Sequence, residues 1–112
     1  MDAAAKQIFI RRVAARGQPS DVLWSRHAIS KLTMEDLSRQ AVEVALRAGE
    51  VIEDYPAAHR ALPDCLLVAY LTIEKLIHVV VAVDKPNDRL FIITLYRPDP
   101  TRWADDFRTR PR

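Results

Sequence analysis

Apolar residues recur at helical spacing in the first half of the chain and form near-continuous runs in the second half. Residues 2–16 begin with the capping residue Asp2 and end before Gly17, which favours a helix stop. Four large apolar side chains lie in this segment: Ile8, Phe9, Ile10 and Val13. A free tail would not carry so many, so the pattern predicts a helix that covers apolar surface on its own sheet or on a second copy.

Two shorter helices are predicted next. The first runs from about residue 25 or 26 to residue 35, with Ala28, Ile29 and Leu32 at inward positions. The second runs from residue 39 to 48 after the N-cap residue Ser38. Before them, Val22–Trp24 is either a short strand or an extended lead-in.

The pattern after Gly49 is typical of strands. Strands are predicted at residues 51–55, 65–71, 76–84 and 90–96. The second and third are apolar throughout, as expected for strands buried on both faces. In the last strand, strict alternation places Phe91, Ile93 and Leu95 on one face. The opposite face then carries Leu90, Ile92, Thr94 and Tyr96.

Helices that precede strands predict an α+β fold. We expect one domain over residues 1–112, with N-terminal helices packed on one face of a twisted antiparallel sheet of about four strands. After the last strand, residues 105–112 are predicted to be a polar tail, with Trp103 and Phe107 as possible anchors for the C-terminal residues.

Composition and charge narrow the class of protein. The chain is 49% hydrophobic and 29% charged, which excludes wholesale disorder. Its one cysteine excludes an internal disulfide, and no apolar run approaches the ~20 residues that span a bilayer. The N-terminus lacks a secretory apolar region. We therefore expect a cytoplasmic protein with no membrane partner.

Basic residues concentrate at the two ends of the chain. Residues 1–31 hold six basic and two acidic groups, residues 32–96 hold six and ten, and residues 97–112 hold five and three. If the ends meet in space, they form a cationic patch that attracts RNA or an acidic partner. The alternative is an ordinary solvated surface with a frayed arginine tail.

Four short motifs occur in order along the chain: His27-Ala28; Gly49-Glu50-Val51-Ile52 with Asp54-Tyr55-Pro56; His78-Val79-Val80; and Thr94-Leu95-Tyr96 with Pro98-Asp99-Pro100 and Trp103. They resemble the domain-of-unknown-function 4258 family over about residues 22–104. One departure is Lys31-Leu32, where the family usually has Arg-Met. Lysine cannot make the planar two-point contact with phosphate that arginine makes.

The resemblance implies a fold and a class of function. The family is grouped with toxins of the RelE/ParE type, whose fold is two helices on a twisted antiparallel sheet. Residues 1–21 would then be an N-terminal helical extension and residues 22–104 a RelE/ParE-like core. The implied partners are RNA or the ribosome, an antitoxin, or a second copy of the chain.

Metal-independent RNA cleavage needs a base, a cation and an acid around one phosphate. The residues suited to these roles are His27, Lys31, His78, Tyr96 and Arg97. If the protein acts on RNA, they are expected to converge within about 10 Å, because all must reach one phosphate. The alternatives are a core histidine bonded to backbone for His78 and a half-buried tyrosine with a satisfied hydroxyl for Tyr96.

Other chemistries lack their sequence signatures. Three histidines and one cysteine show no metal-ligand spacing, and two glycines cannot build a phosphate-binding loop, so no metal or cofactor is expected. Cys65 starts a buried strand and is interpreted as a core residue. Two functions stay open: an endoribonuclease toxin, or a ParE-like protein-binding toxin without nuclease chemistry. A housekeeping or degenerate domain is a third.

Overall fold

A five-stranded sheet is the centre of the computed structural model, which describes residues 1–55, 61–104 and 106–110. Its strands are β1 (Val22–Trp24), β2 (Glu50–Asp54), β3 (Asp64–Tyr70), β4 (Leu76–Asp84) and β5 (Arg89–Tyr96). The helices are α1 (Ala3–Ala15), α2 (Arg26–Glu35) and α3 (Arg39–Ala45), with 3₁₀ turns at Pro19–Asp21 and Leu46–Ala48.

The sheet is mixed, which corrects the prediction of an antiparallel sheet of about four strands. Strands β2 to β5 form the predicted antiparallel meander, with the order β1-β5-β4-β3-β2. Val22–Trp24 is a strand that pairs parallel to β5, in register with residues 90–92. Without β1, residues 90–92 of β5 would lie at the edge of the sheet, and β1 supplies hydrogen-bond partners for their outward backbone groups.

All three helices begin at side-chain caps. Asp2, Ser25 and Ser38 each accept a hydrogen bond from the backbone N–H three residues further on, at 2.8, 2.9 and 3.1 Å. Such caps satisfy donors that the first turn leaves free. The Ser25 hydroxyl also donates to the Ile93 carbonyl at 2.8 Å, so this residue fixes the start of α2 against β5.

The helices pack on one face of the sheet and form a continuous core with it. The side chains of Ile77, Val79, Val81 and Val83 on β4 point into this core. Two predicted inward residues are wrong: Ile29 is 47% exposed and Ile8 is 68% exposed. Their neighbours Ala28 and Phe9 fill the core instead, because each helix turns only a narrow stripe toward the sheet.

Helix α1 covers its own sheet, one of the two surfaces predicted for it. Lys6 is buried, pairs with Asp54 and donates to the Asp64 carbonyl at 2.9 Å. The Val51 N–H donates to Gln7 Oε1 at 2.9 Å, and Arg11 Nε donates to the Gly49 carbonyl at 2.8 Å. These side chains satisfy backbone groups in and beside β2, which is the edge strand on this side of the sheet. Among the described residues, no helix is long and apolar enough to cross a membrane.

A register shift in β5 overturns the alternation predicted for that strand. Val81 pairs with Ile92 and Val80 with Thr94, so Ile93 is one extra residue between them. The predicted face of Phe91, Ile93 and Leu95 is therefore split: Leu95 lies in the helix-side core, whereas Ile93 and Tyr96 pack on the opposite face. A bulge of this kind turns the side chains beyond it to the other face.

Candidate functional site

His78 and Tyr96 form a side-chain pair on the sheet face opposite the helices. They are directly opposed in β4 and β5, with His78 Nδ1 3.4 Å from the Tyr96 hydroxyl. His78 Nε2 lies 2.6 Å from the Phe107 carbonyl, which can only accept a hydrogen bond. This contact assigns the proton to Nε2, so Nδ1 is left to accept from the Tyr96 hydroxyl.

A C-terminal strap, defined here as residues 103–104 and 106–110, lies over this pair. The Trp103 ring meets the His78 ring edge to face, with centroids 4.4 Å apart. Arg110 stacks over Trp103 at 4.5 Å and donates from Nε to Glu53 Oε2 at 2.7 Å. His78 is consequently 0% exposed and Trp103 only 4%.

Two further contacts tie the strap to the rest of the protein. Arg108 Nε donates to Glu50 Oε2 at 3.2 Å, and Arg108 Nη1 donates to the Tyr70 hydroxyl at 3.1 Å. Within the strap, Phe107 has a φ of 55°, a left-handed conformation that is uncommon for a bulky residue. The Asp106 carboxylate accepts from the backbone N–H groups of Arg108 and Thr109, which holds this turn closed.

Burial and neighbouring charges set the protonation states of the titratable side chains around the His78–Tyr96 pair. Burial lowers the pKa of His78 and raises the pKa of Tyr96, so the imidazole is neutral and the phenol keeps its proton near pH 7. The hydrogen bond from Arg110 lowers the pKa of Glu53, which is therefore ionised. The Tyr55 hydroxyl donates to the same carboxylate at 3.1 Å. The pKa of Tyr55 is raised, and burial is the largest cause.

A pocket of about 310 Å³ opens beside the pair. Its lining residues are Tyr96, Arg97, Asp99, Arg102, Trp103 and Arg110. Three guanidinium groups and one carboxylate line this pocket, and two of the three, Arg97 and Arg110, also pair with Glu35 and Glu53 behind the lining. Guanidinium groups bind phosphate oxygens through paired hydrogen bonds, so an anion that enters the pocket competes with these carboxylates for them.

The five predicted site residues fall into groups. Tyr96 and His78 form the pair described above, and Arg97 follows Tyr96 into the pocket. Lys31 and Arg97 share Glu35: the ammonium lies 3.7 Å from Oε1, and Arg97 Nε lies 3.4 Å from Oε2.

His27 stands apart from both groups. Its Nε2 contacts Thr94 Oγ1 at 2.8 Å, two residues before Tyr96 in β5. Within residues 1–55, 61–104 and 106–110, no hydrogen bond or ion pair joins His27 or Lys31 to the His78–Tyr96 pair. Convergence of all five residues stays a prediction.

Sequence reasoning missed the polar partners that complete the site. Glu53 lies in an edge strand, Arg102 follows the proline-rich loop, and Arg110 was assigned to a polar tail. Nothing in the sequence links Glu53 to Arg110, because 57 residues separate them. The available signal was Trp103 with Phe107, two aromatic residues in an otherwise polar segment, and both contact the sheet.

Metal and thiol chemistry find no support in the part of the chain that the structure describes. That part holds no group of three or more His, Cys, Asp or Glu residues placed to bind a metal ion. Cys65 is buried, and burial raises the pKa of its thiol to about 12, so it stays protonated in the core. His59 lies outside the described residues.

Comparison with known proteins gives a family but no activity. No curated protein and no solved structure matches the chain. The model of the domain of unknown function DUF4258 matches residues 24–97, more than half of the chain and slightly less than the 22–104 expected. Helix α1 and the C-terminal strap lie outside the matched range, whereas His78, Tyr96 and Glu53 lie inside it. The chain therefore belongs to the DUF4258 family.

Proposed function

We propose that the protein is a RelE/ParE-like endoribonuclease that cleaves RNA without a metal ion, as the toxin of a toxin-antitoxin pair. The observation that carries the proposal is the His78–Tyr96 pair beside a pocket lined by Arg97, Arg102 and Arg110. A protonated phenol next to clustered guanidinium groups supplies the acid and the positive charge that phosphodiester cleavage needs.

Glu53 is suited to act as the base. While Arg110 donates to it, its pKa is low and it is a weak proton acceptor. When Arg110 turns to a phosphate, the carboxylate loses that hydrogen bond and becomes more basic.

These roles give a balanced reaction. Glu53 takes the proton of the ribose 2′-hydroxyl, and the 2′-oxygen attacks the adjacent phosphorus. Tyr96 gives its proton to the departing 5′-oxygen, which leaves a 2′,3′-cyclic phosphate and a 5′-hydroxyl. His78 positions the Tyr96 hydroxyl through Nδ1. His27 and Lys31 lie on α2, the helix that packs on β5, and are candidates for contacts with neighbouring nucleotides.

The test is cleavage of single-stranded RNA in the presence of EDTA. Tyr96→Phe removes only the hydroxyl and is expected to slow cleavage about 10²–10⁴-fold. Arg102→Ala is expected to slow it about 10²–10³-fold, because it removes positive charge from the pocket. Arg12→Ala is the matched control, since Arg12 is an exposed arginine that pairs with Asp88 on the helix side.

Wild-type rates in both Tyr96→Phe and Arg102→Ala would remove this pocket from the reaction. Circular dichroism spectra of all variants test whether a loss of activity comes from a loss of structure. Product ends identified as cyclic phosphate and 5′-hydroxyl would support the roles given to Glu53 and Tyr96, and a 3′-hydroxyl product would contradict them.

A ParE-like protein-binding function is the second candidate. The observation that favours it is the burial of His78 beneath the strap, together with the pairing of Lys31 and Arg97 to Glu35, which reduces the net positive charge along α2. If free and ribosome-bound RNA both stay intact with every variant, and the chain co-purifies with an acidic partner encoded beside it, this candidate replaces the nuclease.

A further inference from the structure

A second pocket, of about 210 Å³, lies next to the pocket lined by Arg97, Arg102 and Arg110, which is called the arginine pocket below. The second pocket is called the turn pocket, and its lining residues are Glu74, Lys75, Leu76, Arg97, Pro98 and Phe107. Arg97 lines both pockets, and the strap is a wall of each, through Trp103 and Arg110 in the first and Phe107 in the second. A ligand can therefore continue from one pocket to the other past a single guanidinium group.

The turn pocket lies one step further along the strands that carry His78 and Tyr96. Leu76 precedes His78 by two residues in β4, and Pro98 follows Tyr96, the last residue of β5, by two residues. Residues two apart in a strand share a face and lie roughly 7 Å apart. An RNA strand with one phosphate in the arginine pocket therefore brings a neighbouring nucleotide to the turn pocket.

The lining of the turn pocket fits a nucleobase better than a second phosphate. Leu76, Pro98 and Phe107 supply apolar and aromatic surface, and unpaired bases stack on such surface. The carboxylate of Glu74 repels an anion but not a neutral base. The volume suits a single ring system, because sites for whole drug-sized ligands measure about 300–1,000 Å³.

Glu74 and Lys75 supply hydrogen-bonding groups of opposite kinds. Both side chains are exposed in the turn between β3 and β4, and neither takes part in a hydrogen bond or ion pair among the described residues. The backbone of the turn is fixed, because the Lys75 N–H donates to Thr72 Oγ1 at 3.1 Å and its carbonyl accepts from the Leu71 N–H at 2.8 Å. A carboxylate only accepts hydrogen bonds and an ammonium only donates them.

A carboxylate acceptor distinguishes cytosine from uracil. Cytosine, adenine and guanine each carry an exocyclic amino group, which donates to a carboxylate. Uracil has a carbonyl oxygen where cytosine has its amino group. The one ring N–H that uracil offers at this edge lies between two carbonyl oxygens, and these repel a carboxylate.

We propose that the turn pocket binds one unpaired nucleobase of the substrate and selects bases with an exocyclic amino group, with Glu74 as the acceptor. The proposal rests on the proposed function, because it takes the substrate to be RNA. It adds a substrate preference: single-stranded RNA is bound more tightly with cytosine, adenine or guanine beside the phosphate in the arginine pocket than with uracil there. Lys75 donates to a carbonyl oxygen or ring nitrogen of the base and adds affinity for every base.

Binding of oligonucleotides that cannot be cleaved tests this preference apart from catalysis. The 2′-deoxy tetranucleotides of cytosine and of uracil lack the 2′-hydroxyl that attacks phosphorus, and they carry the same charge. One base at every position makes the result independent of the direction in which the strand lies. Fluorescence anisotropy of labelled tetranucleotides at 0.1 M salt gives each dissociation constant. The wild type is expected to bind cytosine about 3–10-fold more tightly, the effect of one charge-assisted hydrogen bond at an exposed site.

Glu74→Gln is the variant that tests the acceptor. The amide of glutamine both accepts and donates hydrogen bonds, so the affinities for cytosine and uracil should fall within about 2-fold of each other. Asp2→Asn makes the same chemical change at an exposed residue of the helix side, where asparagine keeps the cap of α1. It should leave the cytosine preference at the wild-type value.

Lys75→Ala tests whether the base lies in this turn. It should weaken the binding of both tetranucleotides by about the same factor, 3–10-fold, because an ammonium finds an acceptor on either base. Lys85→Ala is the matched control, since Lys85 is an exposed lysine in the turn at the other end of β4. A charge there is screened from the turn pocket at 0.1 M salt, so both affinities should stay within about 2-fold of the wild type.

The outcomes separate this inference from the proposed function. Equal binding of the two tetranucleotides by the wild type overturns the inference, as does binding of neither, or a cytosine preference that survives in Glu74→Gln. These results leave the nuclease to the cleavage assay with Tyr96→Phe and Arg102→Ala. A cytosine preference that Glu74→Gln abolishes supports the base site, and if no form then cleaves RNA, the nuclease alone is rejected. Faster cleavage beside cytosine than beside uracil, lost in Glu74→Gln, supports both.

Discussion

The two faces of the sheet are covered in opposite ways. On the helix face, α1, α2 and α3 bury a continuous cluster of twenty of the described residues, all of them hydrophobic. On the strap face, the corresponding cluster of described residues is Leu66, Val80 and Trp103, with partly buried neighbours around it. The helix face therefore contributes most of the favourable free energy of folding, because that free energy comes mainly from apolar area removed from water.

The strap face carries the groups that can do chemistry. His78, Tyr96 and Glu53 lie here with three arginines at the margin. The contacts that cover them are ion pairs, one backbone acceptor and the Trp103 ring. Titratable groups with perturbed pKa values in a cleft are characteristic of functional sites. The comparison therefore assigns stability to one face and the candidate activity to the other.

A charge placed on each face of the same strand tests this comparison with the largest expected change in unfolding free energy. Val81 faces the helix-side core and Val80 faces the strap. Val81→Asp is expected to lose at least about 4 kcal/mol of unfolding free energy, enough to unfold the domain, because the carboxylate has no partner and no water. Val80→Asp should lose clearly less, because the outer edge of the strap is held by partly exposed ion pairs and water is closer to this face.

Urea unfolding followed by circular dichroism at pH 7 measures both variants. Val80→Thr and Val81→Thr keep the shape of the side chain and form a milder matched pair. The loss of unfolding free energy should again be larger at Val81 than at Val80. Equal losses at the two positions would mean that the strap covers its face as firmly as the helices cover theirs.

The dependence of stability on pH is the second test, and it concerns the strap face alone. Burial holds the pKa of His78 in the folded protein below its ordinary value of 6.5. As the pH falls below about 6.5, the unfolded chain binds a proton at this residue before the folded chain does, so stability is lost. Above that pH the residue is neutral in both states and contributes no pH dependence.

His78→Phe removes this titration and keeps an aromatic ring in place. Between pH 7.5 and 5, the free energy of unfolding should fall more steeply for the wild type than for this variant. Parallel curves would show that His78 is not held neutral in the folded protein, and the tautomer assigned from its contact with Phe107 would lose its basis.

The sequence predicted the secondary structure because periodicity and caps are local properties. Strand β4 has the predicted bounds, and Asp2 and Ser38 cap the helices predicted after them. The α+β class follows from the order of these elements alone. Ile29 was misplaced because neighbouring apolar residues on a helix share a face only approximately, and packing decides which one faces inward.

The candidate site was predicted only in part, because it depends on features that are not local. Without the extra residue Ile93, alternation would place Tyr96 on the same face as Ile92, away from His78. No propensity marks this bulge. The strap depends on ion pairs between residues more than fifty positions apart, and Glu–Arg pairs carry no sequence signal at such separations.

The smallest expected effect tests whether the outer surface of the helical layer is free of contacts with a second copy of the chain. Ile8 is 68% exposed on α1, and Ile10, two residues further along the same helix, is fully buried. Ile8→Gln should change the unfolding free energy by less than about 0.5 kcal/mol and leave the sedimentation profile of the wild type unchanged, because most of the side chain lies outside the packed core. The same change at Ile10 should cost about 3–5 kcal/mol, since it creates a cavity and buries an amide. If Ile8→Gln lowers the melting temperature or reduces the sedimentation coefficient, α1 also packs against a second copy, and the helix face takes part in association as well as folding.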